Sequence, residues 1–258
     1  MTSNQKTTLE TNPIQVADKI FMIIELLADR GPMGLIEISH ELNLNKTTVH
    51  RSLNSLIYMG YVMQSKSSLR YRLGFKICDI SNKVLNKIDI VKIVHPYLQE
   101  LVDATGETVH FVQLDGDYAV YIDKIESTDN SIRLVSQLGK RLPLYCSGVG
   151  KALLADMSDD EIQKIWNESN IKALTPHTIT DFNALKKEIA LIKERGYSLD
   201  NEENEIGIRC IAASLGCSTN ESSYAFSISA PIYRMSDERI EELRVHVLNA
   251  KEKIKQII

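Results

Sequence analysis

No stretch of the 258-residue sequence approaches the run of ~18 apolar residues that a membrane-crossing helix needs, so insertion in a bilayer is excluded. The opening residues, Met1 to Asn12, are polar and hold no apolar signal core, so no secretory leader is expected. Cys78, Cys146, Cys210 and Cys217 form no C-x-x-C pair and no metal-finger spacing, the pattern of reduced thiols in a cytoplasmic protein. His95, His110, His177 and His246 are scattered, with no pair at helical or hairpin metal spacing, so no metal and no cofactor are expected. Internal repeats, low-complexity tracts and flexible Gly/Ser linkers are all missing. One further absence is local: from Leu42 to Cys78 there is neither Asp nor Glu.

That interval holds Lys46, Arg51, Lys66, Arg70, Arg72 and Lys76, although the whole chain carries a net charge of -4. A basic patch on an acidic protein is expected when one small module meets a polyanion and a larger one does something else. Within it, Val49, Leu53, Leu56 and Ile57 recur at helical spacing after Asn45, a suitable N-cap whose side-chain oxygen can accept a free backbone N–H. The opposite face carries Lys46, Thr47, Thr48, His50, Arg51 and Asn54, side chains suited to phosphates and base edges. Val16, Ile20, Ile23, Ile24 and Leu27 mark an earlier amphipathic helix ended by Gly31-Pro32, and a short helix covers about Leu35 to Leu42. Tyr61-Val62-Met63 and Leu69 to Leu73 flank a polar turn, and their alternation predicts a hairpin with Arg70 and Arg72 on one face. A helix-turn-helix beside a basic ribbon is a winged helix-turn-helix, with double-stranded DNA as its partner. Tyr58 and Tyr61 read as packing residues.

After a helix over Phe75 to Asn86 comes a second, Asp89 to Ala104, with Ile93, Tyr97, Leu98 and Leu101 expected inward. A helical connection transmits orientation better than coil, so changes beyond it can reset the spacing of two winged modules in a dimer. Alternation at Thr108 to Gln113, an Asp115-Gly116 turn and Tyr118 to Ile125 predict an antiparallel hairpin, continued by Ile132 to Val135. A loop to Cys146 follows, then a helix from Ser147 through Ala155, a helix capped by Ser158 with Glu161, and a longer one from Asp181 to Arg195. Strands are expected at Tyr197 to Asn201, Ile208 to Ser214 and Tyr224 to Ser229, and a charged amphipathic helix from Ser236 to about Ile254. This order is that of an α+β domain. Ser147-Gly148-Val149-Gly150 opens a helix, which suits an anion at free backbone N–H groups; the alternative is glycines that only permit tight packing. A phosphate loop is excluded, because Lys151 is followed by Ala152 and Tyr145 stands where the first glycine belongs.

Lys46 to Arg51 with Leu53 and Leu56, then Leu142-Pro143-Leu144-Tyr145-Cys146-Ser147-Gly148-Val149-Gly150-Lys151-Ala152-Leu153-Leu154-Ala155, then Asn204-Glu205-Ile206-Gly207-Ile208-Arg209-Cys210-Ile211-Ala212-Ala213, make a chain that resembles the bacterial IclR family of transcription regulators. The resemblance runs from Asn12 onward. It implies four parts: a disordered N-terminus over 1–11, a winged helix-turn-helix DNA-binding domain over 12–74, a linker helix over 75–88, and a GAF-like α+β effector-binding domain over 89–258. By the same resemblance the chain acts as a homodimer or tetramer that represses a catabolic operon, binding operator DNA and a small organic acid such as a 2-keto acid or keto sugar acid.

The DNA-facing set is then Lys46, Thr47, Thr48, His50, Arg51, Asn54, Lys66, Arg70 and Arg72. The positions that match the family's ligand pocket are Leu134 and Leu142 as apolar wall, Gly148 and Val149 at the helix start, and Asp200, Cys210, Ser227 and Ser229 as polar contacts. Ser227 and Ser229 stand two apart in a strand, so their hydroxyls share one face. Ser131 replaces an apolar residue frequent in the family's pocket. Two other readings remain: a thiol-dependent GAF-type enzyme using Cys210 with His110, and a regulator that docks on protein rather than DNA. The first lacks a third orienting group and a nucleophile elbow. No catalytic residue is therefore assigned.

Overall fold

The computed structural model describes residues 12–126, 136–217 and 222–258. They fall into two compact units that meet in sequence between Lys87 and Ile88. The expected strand at Ile132 to Val135 and the expected disordered start lie outside the described residues.

The first unit contains α1 (Gln15–Arg30), α2 (Leu35–Glu41), α3 (Lys46–Tyr58), β1 (Val62–Gln64), β2 (Tyr71–Leu73) and α4 (Lys76–Leu85). Ile23 and Leu27 of α1, Ile38 of α2, and Val49, Leu53 and Leu56 of α3 meet Met33, Val62 and Tyr71 in one apolar core. Helix α1 ends where Gly31 takes a positive φ of 75° and its N–H returns to the Leu27 carbonyl. Asn43 makes the turn into α3 at φ 51°, a conformation Asn tolerates better than most residues. Asn45 precedes α3 as expected, but its side chain makes no capping hydrogen bond. Ile57 and Tyr58 lie outside the core; Tyr58 is 92% exposed, so it is no packing residue. The hairpin pairs Val62 with Leu73 and Gln64 with Tyr71, and Met33 adds a bridge to Tyr71. Its second strand starts two residues later than alternation predicted, because Leu69 sits at φ 55° and the Ser65 N–H closes the turn on the Arg70 carbonyl. Arg70 therefore belongs to the turn and does not share a strand face with Arg72.

The second unit is a six-stranded antiparallel sheet in the order β5-β4-β3-β8-β7-β6. Its strands are β3 (Thr108–Asp115), β4 (Tyr118–Ile125), β5 (Arg141–Pro143), β6 (Ser198–Asn201), β7 (Ile208–Cys217) and β8 (Ser223–Pro231). The helices are α5 (Asp89–Thr105), α6 (Gly148–Leu154), α7 (Asp159–Glu168), α8 (Phe182–Arg195) and α9 (Asp237–Lys255). Strand β5 occupies part of what the residues suggested as loop. Alternation sorts the sheet into two faces. Val109, Phe111, Ile211, Ala213, Phe226 and Ile228 pack on α5 and α9, whereas Ala212, Ala225 and Val112 pack under α6, α7 and α8. A bulge between Phe111 and Val112 changes the phase of β3. In α5 Leu98 and Leu101 are buried as expected and Tyr97 is half-buried against the same core, but Val94 takes the inward place expected of Ile93, which is 46% exposed. Ser158 and Asp181 cap α7 and α8 through their side chains, and α8 ends at the left-handed Gly196.

Helix α6 holds two glycines, Gly148 and Gly150, and only the second is needed for its close approach to its surroundings. A Cβ on Gly150 would stand 2.5 Å from the Leu144 Cα and carbonyl oxygen, whereas one on Gly148 would meet Ala212, Asp200 and Cys210 at 3.4 to 3.6 Å. The tight-packing explanation therefore holds for Gly150, and Gly148 has room for a methyl group. Gly150→Ala is expected to lose about 1–3 kcal/mol of stability by overpacking. Gly148→Ala is expected to stay within ~1 kcal/mol of wild type, since ordinary contact is offset by the better helix propensity of Ala. Denaturant unfolding of the two variants checks the contrast; equal losses would contradict it.

Candidate functional site

The sheet face beneath α6 carries polar side chains in rows set by strand register. Asp200 of β6 pairs with Cys210 of β7, Cys210 with Ser229 of β8, and Ser229 with Thr108 of β3. In the next row Ala212 pairs with Ser227, and Ser227 with His110. All but Cys210, which is half-buried, are buried. Of these, Asp200, Cys210, Ser229, Ser227 and His110 line a cavity together with Leu142 and with Gly148 and Val149 at the start of α6. Leu134 and Ser131 lie outside the described residues.

Several lining residues were not assigned from sequence: Tyr121, Ser136, Lys140, Ser147, Asn204, Glu205 and Ile208, and His110 in this role. His110 was the most accessible of these, since alternation sets it on the face opposite Val109 and Phe111. Its Nδ1 lies 3.2 Å from Ser229 Oγ and its Nε2 lies 2.7 Å from Ser136 Oγ, while the ring packs 4.8 Å from that of Tyr121. Burial, aided by the Lys124 charge, pushes the imidazole down to about 3, so it is neutral near pH 7. Ser227 Oγ continues the chain at 3.3 Å from Ser229 Oγ.

The Asp200 carboxyl is pushed up to about 7 chiefly by burial, with the Glu203 charge adding to the rise. The backbone N–H groups of Glu203 and Asn204 and the Lys151 charge oppose it; Asp200 Oδ1 accepts the Glu203 N–H at 2.8 Å. Behind it, Lys151 of α6 and Glu203 form an ion pair in which the lysine is 1% exposed. Glu203 Oε2 has no hydrogen-bond partner among the described residues. Thr175 and Thr178 donate to the Glu202 and Glu203 carbonyls and hold this loop in place. At the α6 start, Ser147 Oγ accepts the Gly150 N–H and donates to the Pro143 carbonyl. Among the described residues the N–H groups of Gly148 and Val149 have no such partner.

This arrangement does not suit thiol catalysis. Burial, followed by the Asp200 charge, raises the Cys210 thiol above its ordinary value, and both His110 nitrogens face hydroxyls. A thiolate-imidazolium pair is therefore not set up. Among the described residues no three His, Cys, Asp or Glu side chains can hold a metal ion.

In the first unit Lys46, Thr47, His50, Arg51 and Asn54 are exposed on α3 and Thr48 is half-buried. Asn54 Nδ2 lies 3.4 Å from His50 Nδ1, one turn away. Lys66 is exposed in the hairpin turn, and Arg72 is exposed with one long contact to the Leu73 carbonyl. Arg70 stands apart: its guanidinium meets Glu37 at 2.7 Å and the Pro32 carbonyl at 3.0 Å. Lys19 of α1, which sequence periodicity did not single out, lines a groove with Thr47, Thr48, Arg51 and Ser55. No helix of the described residues is long and apolar enough to cross a membrane.

Residues 82–256 match the family described as bacterial transcriptional regulator IclR C-terminal, and residues 16–66 match the IclR helix-turn-helix domain. The chain is 36% identical to the HTH-type transcriptional regulator KdgR of Escherichia coli, over 95% of this chain and 94% of that one. It is 32% identical to the transcriptional repressor IclR of the same organism, over 96% and 91%. The crystal structure of the Thermotoga maritima IclR superimposes with a TM-score of 0.74 at 33% identity, covering 94% of this chain and 98% of that one.

Asp200 gives the cavity a signature in stability. Its folded carboxyl stays protonated up to about pH 7, against an ordinary 3.8, so between about pH 4 and pH 7 the folded chain keeps a proton that the unfolded chain has shed. Stability falls as pH rises through that window and is not regained above it. Asp200→Asn mimics the protonated acid. Its unfolding free energy, measured by denaturant titration, should match wild type near pH 4 and exceed it increasingly towards pH 7, by ~1–4 kcal/mol at pH 8. A difference that does not change with pH would show that Asp200 is not held protonated.

Proposed function

The chain belongs to the IclR family of bacterial transcriptional regulators, and from that premise we propose that it represses a catabolic operon until a small organic acid, such as a 2-keto acid or a keto sugar acid, fills the cavity beneath α6. It is a ligand-responsive, DNA-binding regulator, and its relatives are named regulators rather than enzymes. The repressor assignment draws on the E. coli repressor of the same family.

The observation that carries the ligand class is the composition of the cavity. Hydroxyls of Ser227 and Ser229, a neutral His110 and the N–H groups of Gly148 and Val149 surround a space with Lys140 among its lining residues. These are groups that accept a carboxylate without burying a fixed opposite charge. Asp200, near 7, can hold a proton and donate to a ligand oxygen, or lose it and accept from a ligand hydroxyl. The ligand contacts are Leu142, Gly148, Val149, Asp200, Cys210, Ser227 and Ser229. The DNA contacts are Lys46, Thr47, Thr48, His50, Arg51 and Asn54 on α3, with Lys66 and Arg72 in the hairpin. We assign a homodimer or tetramer as the working form: α4 buries none of its residues, and Phe75 just before it and Ile80 and Val84 on it are exposed.

Two measurements test this function. Affinity for a duplex selected by the chain from a random-sequence library should fall steeply with salt, and Arg51→Ala should flatten the log–log slope by ~0.9, one phosphate's share. A complex insensitive to salt would contradict the contact set. A panel of 2-keto and hydroxy acids should contain members that raise the melting temperature, with Ser229→Ala weakening the effective acid about tenfold, as loss of a hydrogen bond to a charged group does. An inert panel would exclude this ligand class.

A further inference from the structure

We infer that Arg70 clasps the hairpin to the start of α2 through Glu37, and that this clasp, rather than a phosphate contact by Arg70, sets how the hairpin meets DNA. Arg70 leaves the Ser65–Leu69 turn and reaches back across the unit. Its Nη2–H donates to Glu37 Oε2 at 2.7 Å and its Nε–H donates to the Pro32 carbonyl at 3.0 Å. The same Glu37 oxygen accepts the Gly34 N–H at 2.8 Å, which ties the carboxylate to the entry of α2. Beside it, Met33 and Tyr71 exchange backbone hydrogen bonds of 2.9 and 2.7 Å. Side chain and backbone thus join the hairpin to the residues that lead into α2, and α2 packs on α3 through Ile38, Val49 and Leu53. The geometry fixes the hairpin relative to the DNA-facing helix.

The charges support a positioning role. Glu37 is held below the usual carboxylate range, first by the Gly34 N–H and also by Arg70, so it is ionised at neutral pH. An arginine neutralised at 2.7 Å by a carboxylate has little left to offer a phosphate, and a free Glu37 would repel one. Arg51, Lys66 and Arg72, by contrast, have no ion-pair partner among the described residues. Both members of the clasp are about half exposed, so their effect on overall stability is small. What they supply is orientation: a planar guanidinium with two of its five N–H donors committed in fixed directions.

The inference rests on the proposed DNA-facing role of α3 and the hairpin, so two experiments separate the two. Amide hydrogen exchange needs no DNA: the Met33 and Tyr71 amides should exchange several-fold faster in both Glu37→Gln and Arg70→Ala, with unchanged circular dichroism. Unchanged exchange in both variants would overturn the clasp itself. With the duplex selected from the random library as probe, both variants should bind about tenfold more weakly than wild type, the double variant no more weakly than either, as for coupled neighbours. The log–log salt slope should stay that of wild type, and Arg70→Lys should not restore binding. Tighter binding by Glu37→Gln, together with a slope lowered by ~0.9 in Arg70→Ala, would make Arg70 a phosphate contact and overturn the inference.

Discussion

The close approach of α6 to the central sheet is the contact on which the cavity depends. Gly148 faces Ala212, Asp200 and Cys210 of the sheet, Gly150 lets the helix backbone pass against Leu144 in the segment that leads into it, and Lys151, one residue on, ties the helix to Glu203 by a buried ion pair. Removing either partner would leave an uncompensated buried charge, the costly case for such pairs. Because Glu203 belongs to the loop that follows β6, the pair also sets the side of the cavity where Asp200, Asn204 and Glu205 stand. Cavity-lining side chains come from all six strands and from the start of α6, and register across the antiparallel sheet lines them up.

The two units use polar groups in opposite ways. In the sheet unit the functional groups are buried, their protonation governed by loss of water: Asp200 rises, His110 falls, and each hydroxyl is placed by a neighbour. Such a site discriminates by hydrogen-bond pattern, since any unmet group is penalised in a dry environment. In the helix-turn-helix unit the residues proposed to meet DNA are mostly exposed and unpaired among the described residues, as suits contact with a screened polyanion. Arg70 is the exception, since it alone of the basic residues in the hairpin pairs with a carboxylate among the described residues.

Local patterns were legible in the sequence wherever one element sufficed. The helical spacing of Val49, Leu53 and Leu56, the cap at Ser158, and the shared face of Ser227 and Ser229 needed only a few consecutive residues. What was not legible required partners distant in sequence. His110 meets Ser229 119 positions away, and Arg70 meets Glu37 33 positions away. Strand β5 has three residues, too few for alternation to declare itself. Alternation at Leu69 misled because a residue in the left-handed region ends the strand while the hydrophobic pattern continues. The family resemblance brought together cavity residues on four strands and α6, which spacing alone could not do.

A ligand-responsive regulator requires that the acid and the DNA alter each other's affinity by the same factor. The direct measurement is a pair of titrations with one acid that raises the melting temperature: duplex affinity with and without saturating acid, and acid affinity with and without saturating duplex. The expected result is a change of about 5- to 150-fold, equal in both directions, with the acid weakening DNA binding. An acid that binds the cavity and leaves duplex affinity unchanged would contradict the account.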